Sequence, residues 1–362
     1  MKASDILIVG GGMVGAALAV DLGRRGIPAR VLEAHPPAWP DTEEPPRLRV
    51  SALNRRSIEY MESIGAWTLL GPTRVADFDE VVTWDVSGEG RLSFTAKELG
   101  LDRLGVFVEN QHLQAALLKA AAGLTAVQLD APAAALQIEP GADGPRLTLD
   151  GEGVLDPKLL VAADGAMSPL REAAGIGVWE SDYDQHAVVA TVLTRPPAAR
   201  TTWQRFTPEG PQALLPLANG AASLVWYVKP ARARALLALS DKDFIHAVED
   251  AFPAELGLID VLHERGSFPI RRRHARQYWK GNLVLVGDSA HAIHPLAGQG
   301  LNLGLGDAQA LVKVVTDREP FLRPGAQSVL RRYRRSRARA ILEMRLVTDG
   351  LKRLFDQELA PL

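Results

Sequence analysis

The chain has 362 residues, 47% apolar and 23% charged, with a formal net charge of −2. That is the balance of a soluble globular protein with a large core, and it lacks the basic surplus that nucleic-acid binding requires. There are no cysteines, which excludes disulfides, thiolate metal sites, cysteine nucleophiles and any cysteine-linked prosthetic group. The absence of disulfides fits a cytoplasmic protein. A strand expected almost at the N-terminus leaves no room for a signal peptide. No apolar run reaches the roughly 20 residues needed to cross a bilayer, so membrane contact is expected to be peripheral at most.

Taken in order, Ile6-Leu7-Ile8-Val9 reads as a short buried strand, Met13 to Arg25 as a helix with Ala16, Ala17 and Ala19 on its packing face, and Ala29 to Leu32 as a second strand. This is a βαβ opening. Pro36 to Pro46, with five prolines among acids, is an exposed loop. Helices are predicted over Ser57 to Leu70 and Asn110 to Ala122, with antiparallel strands over Phe78 to Phe94 and strand and turn over Val127 to Leu149. Leu159 to Ala163 is another continuous apolar strand. Ala187 to Leu193 and Ala213 to Val228 are β-type by their branched and aromatic residues. Helices follow over Phe244 to Phe252, Gly304 to Val315 and, long and basic, Gln327 to Phe355. The apolar strands are scattered over the whole chain, which argues against a contiguous two-block dehydrogenase.

Three segments carry chemistry. In the first, Gly10-x-Gly12-x-x-Gly15 follows a strand and opens a helix, and Glu33 lies 21 residues beyond Gly12 at the end of the next strand. These glycines allow a tight turn, close approach to a pyrophosphate and close helix–strand packing. The helix N-terminus attracts phosphate, and the acid takes ribose hydroxyls. An acid at that position favours FAD or NAD over NADP. In the second, Asp164-Gly165-x-x-Ser168-x-x-Arg171 follows the strand ending at Ala163. It reads either as a second nucleotide groove or as a turn with a helix capped by Ser168 ahead of Pro169. In the third, Gly287-Asp288-Ser289-Ala290-His291, His294-Pro295 and Gly298-Gln299-Gly300-Leu301-Asn302 join the strand Leu283 to Val286 to a helix. Asp288 suits ribityl hydroxyls, and the N–H groups at the helix start suit a developing negative charge. His291 and His294 read as positioning or packing residues. As a metal pair they lack a third ligand, so no metal is expected.

Together these segments resemble the class A FAD-dependent aromatic monooxygenases, the para-hydroxybenzoate hydroxylase-like flavoproteins, over nearly the whole chain. The ubiquinone-biosynthesis hydroxylase branch is the most similar. The narrower resemblance rests on Arg49 to Asn54 with Ser57, Gly65-Ala66-Trp67, Val108-Glu109-Asn110 ahead of Leu113, Phe206 to Pro211 with Ala213 to Leu217, and Ser223 to Trp226. It implies an α/β fold: a Rossmann-like FAD-binding domain formed by residues 1–70, 105–180 and 270–325, an inserted antiparallel β-sheet substrate domain formed by 71–104 and 181–269, and a C-terminal helical segment, 326–362.

By the same resemblance, FAD is bound non-covalently and reduced by NAD(P)H bound transiently. The reduced flavin and O2 give a C4a-hydroperoxide that hydroxylates a polyprenylated phenol of ubiquinone biosynthesis. The cofactor performs the hard step, so no protein nucleophile is needed. The implied cofactor contacts are Gly10, Gly12, Gly15, Glu33, Arg49, Asn110, Gln111, Asp164, Gly287, Asp288, Gly300, Leu301 and Asn302. Gln111 departs from the family, which often has a basic residue at or next to that position. Pro295, Gly298, Gln299 and Gly300 are implied beside the flavin, and Trp203, Phe206, Leu215 and Trp226 are candidates for the roof of the substrate cleft.

Arg331, Arg332, Arg334, Arg335, Arg337 and Arg339 crowd the last helix, either as a surface for a membrane or for other ubiquinone-biosynthesis proteins, or as a solvated face of a helix packed through Leu330, Tyr333, Ile341 and Met344. Branch members usually continue past this helix. The alternatives are the same fold acting on a soluble aromatic or polyketide, and a non-catalytic flavoprotein scaffold. A flavin halogenase is disfavoured because no Trp-x-Trp-x-Ile-Pro segment is present.

Overall fold

A computed structural model of the chain describes residues 5–39, 44–86, 88, 90–133, 136–141, 144–253, 256–292 and 299–356. The chain opens with β1 (Ile6–Val9), α1 (Met13–Arg24), β2 (Ala29–Leu32), β3 (Val50–Asn54) and α2 (Arg55–Ser63). Next come β4 (Val75–Phe78), β5 (Glu80–Asp85), β6 (Arg91–Thr95), β7 (Gly105–Glu109) and α3 (Asn110–Ala122). β8 (Val127–Asp130), β9 (Leu136–Glu139), β10 (Arg146–Leu149), β11 (Gly153–Leu155), β12 (Leu159–Ala162) and α4 (Pro169–Ala173) lead to the long strand β13 (Val178–Arg195). Then follow β14 (Thr201–Thr207), β15 (Gly210–Pro216), β16 (Ala221–Val228), α5 (Pro230–Ala238), α6 (Asp241–Ala251) and a second long strand, β17 (Leu258–Ala275). β18 (Trp279–Lys280), β19 (Leu283–Leu285), β20 (His291–Ala292), α7 (Gln299–Thr316) and α8 (Gln327–Asp356) complete the chain.

Two large sheets organise these elements. One has the order β18-β19-β12-β1-β2-β8, parallel throughout except for β18. β1, β12 and β19 are apolar and fully buried, as expected of strands covered on both faces. Their neighbours come from opposite ends of the sequence, so the sheet is assembled from three distant stretches of chain.

The other large sheet has the order β20-β17-β13-β16-β15-β14-β5-β6. Strand alternation gives it two faces. Val188, Val192, Leu214, Leu224 and Trp226 point to one face, where α5 and α6 cover them. Val189, Val225, Tyr227 and Phe268 point to the other, against Leu48. A small sheet, β3-β7-β4, packs Phe107, Ala52 and Phe78 against Leu215 and Leu217.

Several expectations are corrected. The helix expected over Ser57 to Leu70 ends at Ser63, because Gly65 has φ +69° and turns the chain. β4 belongs with β3 and β7 rather than with the large antiparallel sheet. Boundaries drawn at 180/181 and 269/270 fall inside β13 and β17, two 18-residue strands that pair with each other and run from one part of the fold into the other without a turn. The helix expected from Gly304 begins at Gln299.

The basic C-terminal helix is not a uniformly solvated face. Leu330 and Tyr333 are buried, as expected of its packing side, but so is Arg337. Its Nε donates to Asp307 Oδ1 at 2.6 Å and its Nη2 to the Leu303 carbonyl at 2.9 Å. Removing one partner of a buried pair leaves an uncompensated charge and costs about 3–5 kcal/mol. Arg337→Met should therefore lose about that much stability in urea unfolding of the flavin-free protein. Arg334→Met, on the exposed side of the same helix, should change it by less than about 0.5 kcal/mol.

Candidate functional site

The first glycine turn lies at the C-terminal end of β1. Gly10 has φ +101°, and its amide donates to the Leu32 carbonyl at 2.9 Å. A Cβ on Gly15 would lie 2.0 Å from the Gly10 carbonyl oxygen, so Gly15 is required by close packing of α1 on β1. Gly12 differs. It has the ordinary φ of −63°, and a Cβ there would meet nothing within 4 Å. Nothing among the described residues demands a glycine at that position, whereas a pyrophosphate lying against the helix start would. Gln114 on α3 donates from Nε2 to the Gly11 carbonyl at 3.0 Å and holds the turn from the far side. Glu33 ends β2, with one carboxylate oxygen fixed by the His35 amide at 2.8 Å.

The second segment is a capped turn and also part of the cleft. Ser168 Oγ accepts from the Arg171 amide at 3.0 Å, with Pro169 in the first turn of α4. Asp164 Oδ2 accepts from the Leu170 amide at 3.1 Å. Asp164 Oδ1 is buried with no hydrogen-bond partner among the described residues. Burial raises the Asp164 carboxyl above its ordinary value, against opposing hydrogen bonds from Ser168 and Leu170. A buried acceptor left open is costly unless a donor fills it, and a ligand hydroxyl would do so. Arg171 donates to the Ser289 and Ala166 carbonyls, both at 2.9 Å, joining this turn to the third segment.

In that third segment Gly287 turns the chain at φ +60°. Asp288 is open to solvent yet crowded by surrounding protein, as on the floor of a recess. Burial raises its carboxyl above the usual range, while His291 and Arg49 draw it back. Asp307 on α7 anchors the turn: Oδ2 accepts from the Gly287 amide at 2.9 Å and from His291 Nε2 at 2.5 Å. His291 is thus a buried positioning residue, as expected.

Arg49 is placed by its neighbours. Its carbonyl accepts from the Asn110 amide at 2.9 Å, and its guanidinium lies 5.4 Å from the Phe268 ring centroid. The buried pair Arg74–Glu109, at 2.6 Å, steadies the preceding loop, since Glu109 Oε2 also accepts from the Arg47 amide at 2.8 Å. Asn110 Oδ1 accepts from Ser51 Oγ at 2.7 Å, and Gln111 is exposed on the first turn of α3.

The structure therefore brings Gly10, Gly12, Glu33, Asp164, Gly287 and Asp288 to one end of the parallel sheet, with Arg49 opposite Asp288 and Gly300 and Leu301 in the first turn of α7. Pro295, Gly298 and His294 lie outside the described residues. The Asn302 side chain ties α7 to β3, donating to the Ala52 carbonyl at 2.8 Å and accepting from the Asn54 amide at 3.0 Å. Two expectations are corrected. Trp226 is 1% exposed, packed on Phe252 and Arg232 beneath α5 and α6. Trp203 packs on that same face, against Trp84. Both point away from Arg49, whereas Phe206 and Leu215 lie on the face toward it by strand alternation.

Sequence reasoning missed Gln114, Ser289, Asp307 and Arg337. The one signal available was Asp307, the single acid of α7, which once buried demands a cationic partner.

The cradle fits FAD at both ends: open space at Gly12 for phosphate, acids at Glu33 and Asp288 for hydroxyls, and an unfilled acceptor at Asp164. The comparisons agree. The FAD binding domain family matches residues 3–344. Over 99% of this chain and 92% of its own length, the 3-demethoxyubiquinol 3-hydroxylase of Escherichia coli K12 is 38% identical. Ubiquinone hydroxylase UbiL of Rhodospirillum rubrum is 34% identical over 99% of this chain and 83% of its own. The human mitochondrial ubiquinone biosynthesis monooxygenase COQ6 is 31% identical over 99% and 86%. Among solved structures, Pseudomonas aeruginosa PqsL in complex with 2-aminobenzoylacetate superposes with a TM-score of 0.79 at 23% identity, covering 98% of this chain and 97% of that one. The p-nitrophenol 4-monooxygenase PnpA of Pseudomonas putida DLL-E4 gives 0.76 at 18% identity, covering 98% and 90%. These last two show the shared fold.

Two glycine variants separate ligand space from protein packing. Gly12→Ala should leave the unfolding midpoint of the flavin-free protein nearly unchanged and weaken FAD binding in fluorescence titration. Gly15→Ala should destabilise the flavin-free protein by about 1–3 kcal/mol through overpacking.

A pH series tests the His291–Asp307 pair. Burial alone would depress the imidazolium, but the Asp307 charge and hydrogen bond outweigh it and hold His291 above its ordinary value. Such a group adds stability that is complete below its unfolded pKa, about 6.5, and is lost as pH rises through the folded value. Asp307 is held below its ordinary value: burial opposes this, but His291 and Arg337 prevail. Its contribution fails only in acid. Urea unfolding between pH 6 and 9 should show the wild type losing its advantage over His291→Asn as pH rises. Parallel curves would show that the pair does not carry this charge.

Proposed function

The chain belongs to the FAD-binding family that includes the ubiquinone-biosynthesis hydroxylases, and from that premise we propose that it is an NAD(P)H- and O2-dependent hydroxylase of the aromatic ring of a prenylated phenol or quinol on the way to ubiquinone. The observation that carries this reading is the position of the cradle's Asp288 end. Arg49 and Asp288 lie beneath the apolar face of the eight-stranded sheet that carries Val189, Val225 and Phe268. An acid-and-helix cradle for a flavin thus faces an apolar wall suited to an apolar ring.

FAD, when bound, supplies the redox chemistry that activates dioxygen with electrons from NAD(P)H. The chain's own residues bind, orient and exclude water. Gly12 and the start of α1 receive the pyrophosphate, Glu33 the ribose, and Asp288 the ribityl hydroxyls. Gln299, Gly300 and Leu301 open α7, so their amides have no partner within the helix and would offer its positive field to negative charge on a bound flavin. The apolar sheet face would help exclude water from a bound flavin. No acid–base side chain is assigned, because His291 is spent on Asp307.

None of the described helices is long and apolar enough to cross a membrane. We infer that the protein works from the cytoplasm and meets its lipophilic substrate at a membrane surface.

In a strain lacking the gene, mass spectrometry of quinone-pathway intermediates should show lowered ubiquinone and an accumulated prenylated phenol one hydroxyl short. An unchanged ubiquinone level with no accumulated precursor would sink the substrate assignment. Asp288→Ala should elute paler than wild type on gel filtration, having lost FAD. A fully yellow, fully active variant would remove Asp288 from the site.

A further inference from the structure

One cross-strand ladder runs straight across the eight-stranded sheet, from the flavin end of the cradle to its free edge. Its members are direct register partners: Val189 on β13, Val225 on β16, Ala213 on β15, Gln204 on β14, Thr83 on β5 and Leu92 on β6. Register partners share a face, so all six point the same way. That face is identified at the inner end. Val189 packs with Leu48, the neighbour of Arg49, and a Cβ on Gly266, its partner on β17, would lie 2.9 Å from Leu48 Cδ1. The opposite face is closed by α5 and α6. Five steps of about 4.8 Å between neighbouring strands make the ladder roughly 24 Å long.

The ladder changes character along its length. Val189 and Ala213 are buried, Gln204 and Thr83 half-buried, and Leu92 is 63% exposed. Phe94, two residues along β6 on the same face, is 53% exposed. Sheet edges are ordinarily protected by charge or proline, and two large apolar side chains on an edge strand mark a contact surface. This one is continuous with the cleft wall.

We propose that the ladder is the track of the substrate's isoprenoid tail: the ring lies at the Val189–Ala213 end beneath Arg49 and Asp288, and the tail leaves over the β5–β6 hairpin, against Leu92 and Phe94. The proposal rests on the prenylated-phenol reading above and adds where the tail lies. A linear hydrocarbon fits a strip that is apolar at both ends and open at the edge, so that tails of different length are accommodated.

The test compares two phenols with the same ring, one carrying a single isoprene unit and one carrying eight, both in detergent micelles, with the FAD-loaded enzyme. Substituting Leu92→Glu and Phe94→Glu together should raise the ratio of KM for the long-tailed to the short-tailed phenol at least tenfold. Leu99→Glu, equally exposed at 63% but off the ladder, should leave the ratio unchanged. A ratio unaltered by the double substitution overturns the track, as does an equal rise for both phenols. A loss that appears only when the long-tailed phenol is presented in phospholipid vesicles would make the hairpin a membrane contact instead, and would also overturn it. Wild-type enzyme that consumes NAD(P)H with a soluble phenol but hydroxylates neither prenylated compound would refute the substrate reading itself, a result distinct from the others.

Discussion

The carboxylate of Asp307 holds the candidate site together. It is fully buried and accepts from the Gly287 amide, from His291 and from Arg337. These partners come from the turn after β19, from β20 and from α8, while Asp307 itself lies on α7. Such a cluster is a poor source of net stability, because desolvating the charges costs about what their attraction returns. It is a strong source of registry. Any shift of α7 along its axis, or of α8 against it, strands a charge in the core. The position of Asp288 and the aim of the α7 N-terminus both follow from this constraint.

A second constraint is topological. β1, β2, β12 and β19 run parallel, so their C-terminal ends share one edge of the sheet. Gly10, Glu33, Asp164 and Gly287 each follow one of those ends. Residues separated by more than 250 positions thus line one crevice, at the place where open α/β sheets bind their ligands. Arg171 and Asn302 then cross-link the segments, one through the Ser289 carbonyl and the other through β3.

Much of this was legible in the sequence where the signal was local. The glycine turn, its acid at Glu33, the Ser168 cap and the exact span of α3 rest on neighbours a few residues apart. β17 was not legible. Its run of arginines and histidines reads as polar, yet β13 pairs with almost its whole length and gives it a strand's hydrogen bonds. Arg337 looked like one more surface arginine because helical spacing alone does not say that Asp307 waits across the interface. Trp203 and Trp226 looked like cleft residues because aromatic content marks a strand without saying which of its faces is which.

The sequence by itself determined much of the chemistry, a glycine turn with its acid at Glu33 and the absence of any thiol, because these depend on residue types and short spacings. Only the tertiary structure decided which side of the large sheet faces Arg49, which polar groups are spent on one another, and where an apolar strip reaches open solvent. Strand alternation offers two equivalent faces until a partner covers one of them. Here α5 and α6 cover one, and the other looks toward Leu48 and Arg49.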